Sequence, residues 1–216
     1  MKSVLIGIFS ILASGVLAST ANVNGIWWTY SAKNGTASIC AEYAGYTPTI
    51  SKETAGEIII PDMINGNVVI GIGGYAFYGC EKLTKIQIPS SITNIASYAF
   101  EGCVGLTEII IPDTVTRIQK GVFKDCYSLT SIEIPNGVTS IESAAFEGCS
   151  GLTSVLIPNS VRTIGGGVFS SCRGLKSIVL PFVGRCRGNS DSTEDLFGYV
   201  FGSSYYDGCE IGRAHV

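Results

Sequence analysis

One interval, 23 residues, orders the middle of this sequence and limits what it can fold into. The interval separates the prolines Pro89, Pro112, Pro135, Pro158 and Pro181. It also separates the members of three further columns: Phe77, Phe100, Phe123, Phe146 and Phe169; Cys80, Cys103, Cys126, Cys149 and Cys172; Leu83, Leu106, Leu129, Leu152 and Leu175. Because four residue types keep one register without a gap, the chain contains an array of repeated units. Such an array folds as a solenoid, in which each unit buries its apolar side against its neighbours.

A single unit predicts the local structure of the whole array. Residues 132–154 read IEIPNGVTSIESAAFEGCSGLTS. The pattern Leu-x-x-Ile-x-Ile-Pro alternates apolar and variable residues, which predicts a short β-strand that Pro135 ends. An Asn-Gly pair then turns the chain. We expect residues 143–149 to form a short helical turn that buries Phe146 and Cys149.

The repeat pattern also identifies a family resemblance. The phrase I-x-I-P-x-x-V-x-x-I-x-x-x-A-F-x-x-C-x-x-L, which runs through residues 58–181, resembles the BspA-like leucine-rich repeats of bacterial and protist surface proteins. The resemblance implies a repeat solenoid of the leucine-rich-repeat type. Together with the local patterns, it predicts about five coils with short β-strands and short helical turns, preceded by an N-terminal β-hairpin cap. It further implies adhesion at the cell surface. The first unit departs from the pattern, since it is longer between Pro61 and Phe77.

The N-terminus has the features of a secretion signal. Lys2 precedes an apolar stretch of 13 residues at 4–16, and Val16-Leu17-Ala18 fits the small-x-small cleavage rule. The stretch is shorter than the ~20 residues that a membrane-spanning helix needs, which disfavours the alternative of an anchor. We therefore expect 1–18 to be a cleaved signal peptide and the mature chain to be extracellular or on the cell surface, with no membrane span.

Residues 22–57 form the predicted cap. Asn34-Gly35 between two alternating runs is a strong β-hairpin signal. A cap at this place would shield the strand edge at the open end of the solenoid. The aromatic residues Trp27, Trp28 and Tyr30 are interpreted as cap packing, with a carbohydrate-binding platform as the alternative.

The C-terminal part breaks the period. Residues 182–209 are interpreted as a loop or insertion before further repeats, so we expect the chain to be part of a longer protein. The last stretch, 210–216, continues no pattern and back-translates to a common sequencing-adapter read, and we interpret it as an artefact. It contains His215, the only histidine of the chain.

Composition and motifs exclude several function classes. The formal charge of −3 and the lack of any basic run give no case for nucleic-acid binding. Without His215 there is no histidine for a nucleophile–base pair, and no zinc, phosphate-loop or hydrolase motif occurs. Glu101 and Glu147 recur at one repeat position and are interpreted as solvated. We expect no enzymatic activity and no cofactor.

The variable strand positions are the predicted binding site. Stacking places them in two columns on one face: Gln87, Ile110, Glu133, Leu156 and Val179 in the first, and Lys85, Glu108, Ser131, Ser154 and Ser177 in the second. Exposed apolar residues that share one patch can mark an interaction site. The alternative is that β-branched residues simply suit an exposed sheet.

Two functions remain open from the sequence. The first is a secreted or surface adhesin that binds a protein or glycan of host or neighbouring cells through the strand face. The second is a structural spacer array that presents another domain. Family resemblance favours the first, although repeat folds have many different partners.

The five repeated cysteines are interpreted as buried packing atoms. In-register side chains of stacked coils point the same way, which disfavours disulfides, and a linear column does not make a tetrahedral metal site. A small buried thiol fits the position between Phe and Leu. Cys40, Cys186 and Cys209 lie outside the column, and a Cys186–Cys209 bridge stays open.

Overall fold

The computed structural model describes residues 7–11, 17–40, 48–181, 200 and 210–213. Between residues 48 and 181 the elements are strands and turns, and no helix forms. The N-terminal strands are β1 (Gly7–Ile11), β2 (Leu17–Val23), β3 (Ile26–Lys33), β4 (Thr36–Ile39), β5 (Gly56–Ile59), β6 (Met63–Ile64) and β7 (Asn67–Ile72). The repeats supply β8 (Leu83–Gln87), β9 (Asn94–Ile95), β10 (Glu108–Ile110), β11 (Arg117–Ile118), β12 (Ser140–Ile141), β13 (Ser154–Leu156), β14 (Thr163–Ile164) and β15 (Ser177–Leu180), followed by β16 (Glu210–Arg213).

The predicted N-terminal hairpin forms between β3 and β4. These strands pair antiparallel, and the turn between them has φ of 53° at Asn34 and 79° at Gly35. Two consecutive positive φ angles are the reason that Asn-Gly is favoured in this kind of turn. β4 then pairs parallel with β7, which joins the hairpin to the first coil. Its role as a cap stays a prediction.

Trp28 connects the hairpin to the core of the array. Its side chain is 1% exposed and packs edge-on against Phe77, with ring centroids 6.3 Å apart. Tyr30 is also buried, whereas Trp27 is 46% exposed. The three aromatic residues therefore do not form one exposed platform.

Replacing Trp28 with leucine should lower the free energy of unfolding by about 2 kcal/mol, since leucine keeps only part of the buried aromatic contact. Trp27→Leu is the matched control and should change it by less than about 0.5 kcal/mol, because nearly half of Trp27 is exposed and leucine keeps its apolar character. Urea unfolding followed by circular dichroism measures both. Equal effects of the two substitutions would contradict the packing argument.

The array follows the alternation in its sequence. Ile109 and Ile111 are buried, whereas Glu108, which precedes them, and Ile110, which lies between them, are exposed. Corresponding strands of successive coils pair parallel and in register, as Glu108–Ile110 does with residues 85–87. A second set of short parallel strands follows the proline turn and buries the isoleucines Ile95, Ile118, Ile141 and Ile164.

The corner of each coil is a set of tight turns where a short helical turn was predicted. In one coil, the Cys149 N–H donates to the Phe146 carbonyl three residues earlier, at 3.1 Å. Ala144 and Gly148 have φ of 58° and 77°, in a left-handed region through which a helix cannot continue. The Phe146 N–H instead donates to Val168 of the next coil, at 2.9 Å. The backbone groups of the corner thus pair between coils, which holds the stack in register.

The core of the array is a column of stacked rings beside a column of thiols. Successive phenylalanine rings from Phe77 to Phe169 lie 5.1–5.5 Å apart and within 14° of parallel. The five repeated cysteines are fully buried, as predicted. Each later thiol donates to the carbonyl of the phenylalanine in the preceding coil, as Cys149 does to Phe123 at 3.0 Å and Cys172 to Phe146 at 2.9 Å. The thiol is therefore a hydrogen-bond donor between coils as well as a packing group.

The column thiols should react with iodoacetamide only after unfolding. In the folded chain the reagent cannot reach the buried sulfur atoms, and the thiols stay protonated. Mass spectrometry before and after urea treatment measures the labelled fraction at each cysteine. Quantitative labelling of the native protein would contradict the buried column.

No disulfide occurs among the cysteines that the structure describes, Cys40 included. Cys186 and Cys209 lie outside the described residues, so their bridge stays a prediction.

The ends of the chain contribute two further strand pairings. β1 lies within the predicted signal peptide and pairs antiparallel with β2, and β16 pairs parallel with β15. The insertion at 182–209 lies outside the described residues except for Val200, whose carbonyl accepts a hydrogen bond from the Phe169 N–H at 3.0 Å. Signal-peptide cleavage, the insertion and the adapter origin of 210–216 stay predictions. The described part of the chain holds no helix of the length and apolarity that crossing a membrane requires.

Candidate binding face

The predicted strand columns lie side by side on one face of the array, called the strand face below. Ile59 pairs with Gln87, Gln87 with Ile110, and Ile110 with Glu133. Farther along, Leu156 pairs with Val179. The structure thus places the predicted site residues in the register that the repeat predicts within two runs, Gln87–Ile110–Glu133 and Leu156–Val179.

Exposure along the first column is uneven. The side chains of Ile59, Ile110 and Leu156 are 60%, 61% and 61% exposed. Val179 is half-buried and so less exposed than these three residues, and β16 pairs Gly212 with it. The apolar part of the strand face that meets solvent therefore rests on Ile59, Ile110 and Leu156.

Polar contacts hold part of the second column. The Lys85 Nζ lies 3.3 Å from Glu108 Oε2, and the Gln87 amide donates to Glu57 Oε1 at 2.5 Å. Both contacts are solvated, so each contributes between nothing and about 1 kcal/mol. They fix side-chain positions beside the apolar row more than they stabilise the fold.

A groove of about 430 Å³ adjoins the middle of the strand face. Its apolar lining is formed by Ile88, Ile110, Ile111, Pro112 and Pro135, and its polar lining by Ser90, Asp113, Thr114 and Glu133. Its volume lies in the range of ligand-binding clefts. The groove and the strand face share Ile110 and Glu133, so the two features form one continuous surface.

The geometry of parallel strands, tight corners and stacked phenylalanines agrees with a family model. Residues 70–185 match the BspA-type leucine-rich repeat region, in six copies. The chain belongs to the BspA-type leucine-rich repeat family. Among curated proteins no match was found.

Solved structures of other leucine-rich repeat proteins share the BspA-type fold. A leucine-rich repeat protein of T. pallidum is 32% identical, with a TM-score of 0.64, over 71% of this chain and 69% of that protein. A leucine-rich repeat protein from Bacteroides ovatus is 32% identical, with a TM-score of 0.60, over 74% and 47%. A leucine rich cell surface protein from Faecalibacterium prausnitzii is 28% identical, with a TM-score of 0.63, over 86% and 43%. The chain thus spans less than half the length of the last two proteins.

The BspA-type repeat cysteines are poor candidates for chemistry. Burial raises the pKa of Cys80 and of Cys172 to about 12 and that of Cys103, Cys126 and Cys149 well above the ordinary value. A thiol that stays protonated is neither a nucleophile nor a metal ligand. Among the residues that the structure describes, no three histidine, cysteine or acidic side chains are grouped to hold a metal ion.

The BspA-type repeat pattern contained signals for two further residues of this surface that were not predicted from the sequence. Ile59 lies two residues before Pro61, the position that Gln87 has before Pro89, and so belonged to the first column. Asp113 follows Pro112 directly, at a variable position next to the column. The groove itself had no sequence signal, because it lies where the strand ladder reduces to the single bridge of Ile110 with Glu133, which the repeat pattern does not predict.

Proposed function

We propose that this chain is a secreted or cell-surface BspA-type repeat protein that binds a protein or glycan of host or neighbouring cells through its strand face. One observation carries the proposal: three aliphatic side chains, each about three-fifths exposed, occupy the same repeat position, Ile59 and Ile110 in one parallel sheet and Leu156 in the next sheet along the array. Protein-binding surfaces combine apolar groups with polar and charged ones. Here Gln87 and Glu133 alternate with the aliphatic residues along the first column, and the neighbouring column adds the charged residues Lys85 and Glu108.

The proposal is supported by the rigidity of the face as well as its composition. Each coil is tied to the next by backbone hydrogen bonds, a stacked ring and a buried thiol, as at Phe123 and Cys149. A surface held in this way loses little conformational entropy on binding. The secreted location rests on the N-terminal sequence, and the Faecalibacterium relative is described as a cell surface protein.

The double substitution Ile110→Asp/Leu156→Asp should reduce binding at least about tenfold, because the apolar contact is lost and charge is introduced at its centre. The labelled protein is applied to immobilised extracellular-matrix proteins, a glycan array and bacterial cells, and bound protein is quantified. Tyr127→Asp is the control, since Tyr127 is 50% exposed and lies outside the strand face. Circular dichroism verifies that each variant is folded. Unchanged binding of the double variant would exclude the strand face as the binding surface.

A further inference from the structure

The groove beside the strand face coincides with an interruption in the strand ladder. β8 and β10 share three residue pairs, and so do β13 and β15. The coil between β10 and β13 is joined to β10 by one bridge only, Ile110 with Glu133. The groove is lined by this coil and the two coils before it. It is therefore a local feature of three coils and not a property that every repeat shares.

The lining of the groove combines an apolar floor with acidic side chains. Ile88 and Pro112 are half-buried, and Ile111 is buried. Asp113 and Glu133 are exposed, and in the described part of the chain neither makes an ion pair. By contrast, Glu108 on the same face is already paired with Lys85. The two groove carboxylates are thus available to a cation from outside.

We infer that this groove binds an extended segment of a partner protein that carries an aliphatic side chain followed by lysine or arginine. The aliphatic group lies on Ile110 and Pro112, and the cationic groups pair with Asp113 and Glu133. In an extended segment every second side chain points to one side, so the pattern aliphatic-x-Lys-x-Lys presents all three groups to the groove. The inference rests on the proposed function, because the groove and the strand face share Ile110 and Glu133.

Charge and shape favour this occupant over a glycan or an anionic ligand. Two unpaired carboxylates repel phosphate, sulfate and acidic sugars at neutral pH. The lining contains isoleucine and proline and no aromatic ring, so it lacks the flat surface against which sugar rings stack. A lysine or arginine segment with an aliphatic group satisfies both halves of the lining.

The inference is tested with the peptide Gly-Ser-Ile-Ser-Lys-Ser-Lys-Gly, titrated to millimolar concentration into the ¹⁵N-labelled protein and followed by NMR. We expect shifts of the amide signals of the groove residues. Asp113→Asn/Glu133→Gln should weaken binding roughly two- to thirtyfold, the effect of losing two exposed ion pairs. Asp62→Asn/Glu81→Gln, which neutralises two exposed carboxylates outside the groove lining, should leave affinity unchanged.

Any one of three results would overturn the inference. These are no shift of the amide signals of the groove residues, equal binding of the same peptide with glutamate in place of lysine, or an affinity of the Asp113→Asn/Glu133→Gln variant equal to that of the unaltered protein. Its failure is distinguishable from failure of the proposed function through Leu156, which is on the strand face and outside the groove. If a cell or matrix protein loses binding to Leu156→Asp but not to Asp113→Asn/Glu133→Gln, the strand face is the binding surface and the groove is not.

Discussion

Replacing Phe146 with alanine should lower the free energy of unfolding by about 3–5 kcal/mol, the usual cost of truncating a buried aromatic residue. Phe146 has no exposed surface and stacks against rings on both sides, at 5.5 Å and 5.4 Å. The substitution opens a cavity in the middle of the ring column and weakens both interfaces between coils. In a repeat array, where stability is carried by nearest-neighbour contacts, this is a large effect.

Two further substitutions separate stacking from burial. Phe146→Leu keeps an apolar side chain but removes the ring, and should cost about 1–2 kcal/mol. Tyr127→Ala removes a half-exposed ring outside the column and should cost less than about 0.5 kcal/mol. Urea unfolding followed by circular dichroism measures all three. A loss below about 1 kcal/mol for Phe146→Ala would show that the ring column does not hold the coils together.

The parts of the fold that follow from repetition could be predicted from the sequence. A strict period places equivalent residues in columns, so the buried rings at Phe100 and Phe123 and the exposed position of Ile110 follow from the alternation alone. The Asn34-Gly35 hairpin also follows, since few other pairs adopt two positive φ angles easily.

The corners could not be predicted in the same way. The residues around Ala144 are compatible with a helical turn, and an alanine at φ of 58° is unfavourable in isolation. The conformation is stabilised by hydrogen bonds to the next coil, as from the Ala144 N–H to Gly166 at 3.1 Å. That contact exists only in the stack, so local propensity does not report it.

The register of the candidate site could be predicted from the sequence, but the exposure of its residues and the groove beside them could not. The period predicts the column of Gln87, Ile110, Glu133, Leu156 and Val179. It does not predict that Val179 is half-buried, or that it pairs with Gly212 at an interval of 33 residues in place of 23. The groove at Asp113 arises where the strand ladder reduces to one bridge. Both departures are features of particular coils, and a consensus of all the repeats does not contain them.

Raising the pH above about 9 should unfold this protein, with a loss of stability far steeper than most folds show. Burial raises the pKa of all five column thiols, to about 12 for Cys80 and Cys172. In the unfolded chain these thiols have a pKa of about 8.5. Below that value both states are protonated, and the full stability is present. Above it the unfolded chain loses protons that the folded chain retains, and stability falls until the folded thiols ionise.

The expected slope is about 1.4 kcal/mol per pH unit for each thiol, or roughly 7 kcal/mol per unit for five. Since domains of this kind are stable by only about 5–15 kcal/mol, the midpoint of unfolding should lie between about pH 9 and pH 11. Urea unfolding in reducing buffer at several pH values from neutral to alkaline measures the slope. Cys103→Ala/Cys126→Ala/Cys149→Ala is less stable at neutral pH but should keep only two of the five contributions to the slope. An equal slope in that variant would assign the alkaline transition to groups other than the column thiols, because tyrosine and lysine titrate in the same range.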